Sequence, residues 1–319
     1  MLKIDISVIV VSYNTAGLLT QCIGSLRSSI DERLNVELIF VDNASKDNSV
    51  EVIKTKFPES RLIANDKNVG FGRANNQAIQ FATGRYILLL NTDAFVASDT
   101  VTKTVAYMEA NPRCGILGVR LEGRDGVLQP SCRYFPTPWN TFLWRSGLNR
   151  LFKRTPMVDD MTWAHDAVRG CDWVVGCYYL VRKEVVEEVG LFDSRYFLYF
   201  EEVDQCFAAK KAGWDVVFYP HTTVVHLGGE SAKSDGAITS SGRQLESLQI
   251  ESELLYFRKN LGLGAAWCSV LLTILADSIN LLKRFAKRGV ALDAMGACRH
   301  SALVCDLFVR TSWATKPTR

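Results

Sequence analysis

The feature that most constrains this chain is an alternation, over its first hundred residues, of short β-rich runs with helix-periodic stretches. Ile6–Val11 is an unbroken apolar, β-branched run, the pattern of a strand buried on both faces. Thr15–Ser28 then carries apolar residues at helical spacing. Val36–Val41 forms a second strand run, followed by the polar turn Asp42–Asp47 and a helical stretch to Phe57. Arg61–Ala64, Phe71–Ala82 and Tyr86–Leu90 continue as strand, helix and strand. Such alternation predicts an α/β fold with a parallel sheet covered by helices on both faces. In such sheets ligands bind at the carboxyl ends of the strands.

Composition narrows the function classes. Apolar residues make up 48% of the 319 positions and charged residues 22%, which is ordinary for a globular protein. A net charge of +3 is too small to imply nucleic-acid binding, so no nucleic-acid partner is expected. The nine cysteines are odd in number and never spaced Cys-x-x-Cys, which argues against a zinc module or a secreted disulfide framework. No basic segment with a following apolar stretch precedes Ile4–Val11, so no signal peptide and a cytoplasmic setting are expected.

Four segments carry the candidate chemistry, and all fall at predicted strand ends. The first strand runs into Val11-Ser12-Tyr13-Asn14 and the second into Asp42-Asn43-Ala44-Ser45. A strand-end Asp can accept hydrogen bonds from a base N–H, and a nearby Tyr can stack on the ring. Asp42 and Asn43 also suit an Asx turn before the next helix. The third segment is Asn68-Val69-Gly70-Phe71-Gly72-Arg73-Ala74-Asn75-Asn76, whose glycines allow close approach of backbone to a phosphate or sugar at a helix N-terminus. It lacks the third glycine of the dinucleotide fingerprint and follows the third strand, which counts against a nicotinamide or flavin enzyme. The fourth is Asn91-Thr92-Asp93-Ala94, where Asp93 suits a hard divalent cation and where Thr92 or Asp93 could alternatively cap a helix.

Together the stretches VVSYN, VDNASKD, NVGFGRANN and LLLNTDA resemble the donor-binding half of family 2 glycosyltransferases of the GT-A fold, closest to bacterial rhamnosyltransferase-like members. The resemblance implies a Rossmann-like nucleotide-sugar-binding sheet, a mixed acceptor subdomain and a C-terminal helical extension. In these terms residues 1–240 are the catalytic domain, with 1–110 the donor half and 111–240 the acceptor half, and 241–319 are the extension. It implies a nucleotide-diphosphate sugar donor held by Val11, Tyr13, Asn14, Asp42, Asn43, Asn68, Gly70, Asn75, Thr92 and Asp93. Asp93 becomes the carboxylate of an Asp-x-Asp-type motif whose first position is here Asn91, and the cofactor is a divalent metal, Mg or Mn. His226, after Thr222–Val225, completes the metal site by the same resemblance. His221 has a weaker claim, and His165 and His300 have none.

Further along, Trp173–Arg182 reads as a strand opening on a glycine bend, and Gly190-Leu191-Phe192-Asp193 precedes Glu201-Glu202-Val203-Asp204. The resemblance assigns the catalytic base to Glu202, with Glu201 beside it. One carboxylate taking the acceptor's proton during in-line attack gives inversion. Three acids opening a helix also complement its dipole, which would weaken a base unless burial offsets it.

Leu261–Leu282 is the most apolar stretch, interrupted by Asp277 and Asn280 and followed by Lys283-Arg284 and Lys287-Arg288. A helix lying on the inner face of the cell membrane fits better than a span, and packing on the catalytic domain or a homodimer interface is the alternative. Phe142–Arg154, where Trp144, Leu148, Leu151 and Phe152 mix with Arg145, Arg150, Lys153 and Arg154, is a second candidate membrane-facing segment. The expected activity is transfer of a sugar, rhamnose from dTDP-rhamnose or a sugar from UDP, to a lipid-linked saccharide in bacterial surface-polysaccharide synthesis. The alternative is a nucleotide-sugar-binding or scaffold protein of this fold that has lost catalysis.

Overall fold

A computed structural model describes residues 4–228, 243–286 and 291–319. The chain divides into two units, one of Met1–Arg133, Met161–Ser194 and Glu201–Gly242, the other of Tyr134–Asp160, Arg195–Phe200 and Arg243–Arg319.

The first unit is built on one sheet. The run at Ile6–Ser12 forms β1, and Val36–Asp42, Arg61–Ala64 and Tyr86–Leu90 form β2, β3 and β4. All pair in parallel in the order β3-β2-β1-β4. Between them lie α1 (Ala16–Ser28), α2 (Ser49–Lys56) and α3 (Phe71–Ile79). Strand order reverses at β1, whose neighbours are β2 on one side and β4 on the other. The crevice above β1 and β4 is therefore where an open α/β sheet accommodates a ligand.

The sheet continues through β5 (Ala94–Val96), β6 (Cys114–Glu122), β7 (Leu128–Gln129), β8 (Arg169–Gly170), β9 (Tyr178–Arg182) and β10 (Asp215–His226). The main path runs on from β4 as β9-β6-β10-β5. Because β9 is antiparallel to β4, its start lies beside the carboxyl end of β4, with Leu90 opposite Tyr178. Helix α4 (Thr100–Ala110) follows β5.

Ile6, Val8, Val10, Tyr86, Leu88 and Leu90 pack with Leu19, Cys22, Ile23 and Leu26 of α1 as one core. The strand is held close at its start: a Cβ on Gly84 would lie 2.5 Å from the backbone nitrogen of Ser7.

The second unit is helical, with α5 (Pro138–Ser146), α8 (Arg243–Tyr256), a π-helical turn at Phe257–Leu261, α9 (Leu263–Ala286) and α10 (Ala291–Arg310). Helices α6 (Lys183–Val189) and α7 (Glu201–Lys211) belong to the first unit. Thr137 and Asn140 form a capping box that starts α5, and Gly147 ends it in the left-handed conformation. Phe142 and Leu143 of α5 pack on Ala276 of α9.

Helix α9 is long and apolar enough to cross a membrane, at a mean hydropathy of 1.7 over Leu263–Lys283. Its charged interruption is internally matched, since Asp277 accepts from Ser301 (2.6 Å) and meets His300 (2.9 Å) on α10. The most deeply buried positions of α9 are mostly small or polar: Ala266, Ser269, Thr273 and Ala276 are inside with Val270, whereas Leu271, Leu275 and Leu282 are exposed. The apolar residues of α9 are thus divided, Val270, Leu272 and Ile279 packing inward and Leu271, Leu275 and Leu282 facing outward. Lys287 and Arg288 lie outside the described residues.

Candidate active site

The carboxyl ends of β1 and β2 are stitched together. Ser12 pairs with Asp42, and the Asn43 N–H donates to the Ser12 carbonyl. Asn14, left-handed at φ 54°, donates from its backbone to Ser45 Oγ and accepts the Lys46 N–H on its side chain (2.7 Å). Val11 is the half-buried neighbour of Val41, and half-buried Tyr13 leaves the strand at this crevice.

Asp42 is buried. Its Oδ2 accepts the Ser45 N–H at 2.9 Å, so a turn uses one oxygen, while Oδ1 is buried and has no protein partner. Helix α2 begins only at Ser49, after the N-cap Asn48, so Asp42 is not its cap. A buried acceptor left open is costly unless something else completes it.

Asn43 does a different job. Its Nδ2 donates to Asn68 Oδ1 (2.8 Å) and to the Gly70 carbonyl, and its Oδ1 accepts from Val69 N–H (3.0 Å) and Asn65 Nδ2. Asn68 Oδ1 also accepts the Gly70 N–H. Gly70, at φ 90°, makes the left-handed entry to α3 that a side chain would resist. Asn43 and Asn68 therefore shape the loop, with their amides turned to protein. On α3, Asn75 donates to the Phe71 carbonyl and leaves Oδ1 buried without a partner. Asn76 grips both backbone groups of Phe192, and Arg73 donates to the Ser194 carbonyl. The glycine-rich segment is thereby fastened to the Gly190–Asp193 loop.

Asn91-Thr92-Asp93 forms a turn between β4 and β5, closed by the Ala94 N–H on the Asn91 carbonyl. Helix α4 starts later with Asp99 as its N-cap, so neither Thr92 nor Asp93 is a helix cap. Both are buried. His226 pairs with Ala94 at the end of β10, and the Leu227 N–H donates to the Asp93 carbonyl. This brings His226 Nε2 to 3.6 Å from Asp93 Oδ1 although 133 positions separate them in sequence. Burial holds the imidazole below its usual pKa, opposed by the Asp93 charge, and so favours the neutral ring, the form that can act as a ligand.

A divalent cation fits this pair in donor chemistry, a carboxylate with an imidazole, and 3.6 Å is a span that bonds of about 2.1 Å can bridge. Among the described residues no cluster of three His, Cys, Asp or Glu side chains forms, so those residues offer Asp93 and His226 as the pair.

Glu201 and Glu202 open α7 directly after two left-handed residues, Tyr199 and Phe200 (φ 70° and 69°). Both carboxylates have a buried Oε2 without a partner. Burial raises the pKa of each; the charge of Glu202 adds to the rise at Glu201. At Glu202 the helix-start N–H groups, Arg133 and the Gly176 N–H act the other way, and burial outweighs them. The helix start therefore does not leave the Glu202 carboxyl with a lowered pKa.

Within the first unit, the Asp93 turn and the Glu202 carboxyl both adjoin Gly176-Cys177. The Cys177 carbonyl accepts the Asn91 N–H, and burial followed by the charge of Asp93 raises the Cys177 thiol pKa, with a smaller contribution from Glu202. His221 lies apart with its ring on Tyr219, His165 stacks on Trp163, and His300 serves the α9–α10 contact.

Sequence reasoning overlooked Gln129 and Arg133. Gln129 bonds twice to His226, and Arg133 stacks on Trp173 within electrostatic reach of Glu202. The visible signal for Gln129 was Asp125-Gly126, a turn pair that folds β7 back on β6 and sets Gln129 opposite Leu121.

The chain is similar to known glycosyltransferases in sequence and in fold. The chain is 28% identical over 247 residues to the N-acetylglucosaminyl-diphospho-decaprenol L-rhamnosyltransferase of Mycobacterium tuberculosis, covering 72% of this chain and 78% of that one. It is 26% identical over 174 residues to the rhamnosyltransferase WbbL of Escherichia coli, covering 52% and 63%. In fold it is similar to the mannosyltransferase PcManGT of Pyrobaculum calidifontis, solved with GDP-Man and Mn2+ (TM-score 0.58, 17% identity, 98% of this chain and 88% of that one). The architecture is the GT-A fold. The sequence profile of glycosyl transferase family 2 matches residues 7–171, just over half of the chain, and the protein accordingly belongs to that family.

Proposed function

We propose that the chain is an inverting glycosyltransferase that moves a sugar, rhamnose from dTDP-rhamnose in the favoured case or a sugar from UDP, to a hydroxyl of a lipid-linked glycan. The carrying observation is that Asp93 and His226 face one another at the carboxyl end of β4, in the sheet where Asp42 keeps one carboxylate oxygen open. Support for the acceptor class comes from the mycobacterial relative, whose name specifies a decaprenol-linked substrate.

Each residue then has a task. Asp42 Oδ1 accepts a base N–H, and Tyr13 covers the ring. Val11, Asn14, Asn43, Asn68 and Gly70 set the shape of the pocket wall, while Asn75 Oδ1 and the Thr92 hydroxyl contact the donor. Asp93 and His226 would hold Mg or Mn together with diphosphate oxygens, and the bound ion would neutralise charge on the leaving group. Glu202 takes the proton from the acceptor hydroxyl as its oxygen bonds to the anomeric carbon. The bond from that carbon to the diphosphate breaks with its electron pair, so the nucleoside diphosphate leaves and the configuration inverts. Glu201, buried beside it, keeps the pair from ionising together.

The exposed Leu271, Leu275 and Leu282 of α9 support a location on the inner membrane face, where a lipid-linked acceptor is reached. In the same unit, Trp144 and Leu151 are exposed close in sequence to exposed Arg150, Lys153 and Arg154. Apolar groups flanked by cations suit an anionic lipid surface.

The test is a panel of nucleotide sugars screened for metal-dependent binding and slow donor hydrolysis. Binding that EDTA abolishes, with dTDP-rhamnose or a UDP-sugar preferred, is expected. Binding without hydrolysis or transfer would instead favour a catalytically silent nucleotide-sugar binder, and indifference to EDTA would remove the metal assignment.

A further inference from the structure

The contact between Gln129 and His226 has two arms. Gln129 Nε2 donates to the His226 main-chain carbonyl at 2.9 Å, and Gln129 Oε1 lies 3.0 Å from His226 Nδ1. The first arm fixes which end of the amide is which, since a carbonyl oxygen can only accept. Oε1 must then be the atom facing the ring, and a carbonyl-type oxygen accepts, so Nδ1 carries the proton. In a neutral imidazole the lone pair is then on Nε2, the atom 3.6 Å from Asp93 Oδ1.

We propose that Gln129 is a positioning residue that locks His226 in the Nδ1–H tautomer and turns Nε2 toward Asp93, so that the imidazole is ready to bind a divalent cation. The inference rests on the metal reading given above. A residue in this place acts through the ligand and never touches the ion, as partners of ligating histidines do.

The construction is local and rigid. Gly126, left-handed at φ 74°, turns the hairpin, and the Asp125 side chain accepts the Val127 N–H. Gln129 then pairs with Leu121 on β6, while β6 also pairs with β10 up to Val225, next to His226. The β6 strand thus sets both partners of the clamp. Neither Leu nor Met could replace the amide, because each lacks donor and acceptor. Glu would keep the acceptor for Nδ1–H, but would lose the donor to the carbonyl and set a carboxylate oxygen against it.

The test uses the full chain and its Gln129→Met and Gln129→Glu variants, with thermal melting to confirm that each folds. Mn2+ affinity is measured by electron paramagnetic resonance in the presence of UDP or dTDP, whichever the wild type binds. The His226 tautomer is read from its ring 15N shifts in the metal-free protein. Gln129→Met is expected to weaken Mn2+ binding about 10- to 100-fold and to mix the tautomers. Gln129→Glu is expected to retain the Nδ1–H form and most of the affinity. Wild-type affinity in a folded Gln129→Met variant would overturn the proposal. So would a loss of affinity with the tautomer unchanged, which would make Gln129 only a brace for the strand. A wild-type protein whose His226 is Nδ1–H but which binds no Mn2+ would overturn the metal reading itself, and with it the role of Gln129.

Discussion

The Glu202 carboxyl lies against Gly176, 3.8 Å from where a Cβ on that glycine would sit, and the next residue, Cys177, accepts the Asn91 N–H through its carbonyl. The base candidate and the turn that carries Asp93 therefore adjoin two consecutive residues. A shift in this segment would move both together, which suits a reaction needing a leaving group and a proton acceptor in fixed relation.

The acid pair predicts a pH dependence. A carboxyl whose pKa is raised in the folded state binds its proton more tightly there than in the unfolded chain. Its contribution to stability is full below the ordinary value of 4.5 and is lost as pH rises through the raised folded pKa. Glu201→Gln should therefore melt higher than wild type near pH 7, by roughly 2–4 °C, and the gap should close below pH 4.5. A gap that widens toward acid would contradict the assignment. Glu202→Gln should bind nucleotide normally and fail to transfer. Wild-type activity should fall on the acid side at a pH above 4.5, because burial raises Glu202 as well.

At the base pocket, Asp42→Asn retains size and removes a charged acceptor. Nucleotide affinity should drop by about 1.5–3 kcal/mol, roughly 10- to 100-fold in Kd, as measured by calorimetry. An unchanged Kd would place the base elsewhere.

Asn43 is expected to behave as a structural residue. Removing its side chain strips the 65–70 loop of four contacts, so Asn43→Ala should cost about 1–3 kcal/mol in denaturant unfolding. Nucleotide binding should suffer through loop disorder, and a rise in hydrogen exchange at Val69 and Gly70 would show it directly.

Two glycines offer opposite outcomes from one substitution. Gly84→Ala would drive a Cβ into the Ser7 backbone and should destabilise by about 1–3 kcal/mol. Gly24→Ala, on α1 with no atom within 4 Å of the added Cβ, should stabilise by about 0.5–1 kcal/mol. Thermal melts of the two variants decide both.

The α9 stripe can be tested with vesicles. The protein should cosediment with anionic vesicles and less with neutral ones, and Leu271→Ser, Leu275→Ser and Leu282→Ser combined should weaken this at least about 10-fold. If the triple variant instead abolishes a concentration-dependent dimer and leaves vesicle binding intact, the stripe is a self-association surface.

The sequence by itself determined the parallel part of the sheet. Strands β1 to β4 and the helices between them lie where periodicity put them, because fully buried parallel strands need continuous apolar runs and the turns between them need polar and glycine residues. Tyr13, Asp42 and Asp93 were legible for the same reason, each standing where a run ends. Tertiary structure alone decided the rest. Asp93 meets His226 only because β10 runs antiparallel to β5, and the role of Gln129 depends on β6 lying between its own strand and β10. The fate of the apolar C-terminal helix was likewise a matter of packing. The helix carries enough leucine for either face, yet packing against neighbouring helices put Ala266, Ser269, Thr273 and Ala276 inside with Val270, drew Leu272 against the α5 cluster, and left Leu271, Leu275 and Leu282 outside. Local pattern records which residues prefer burial; which strand or helix arrives to bury them is settled by contacts between segments far apart in the chain.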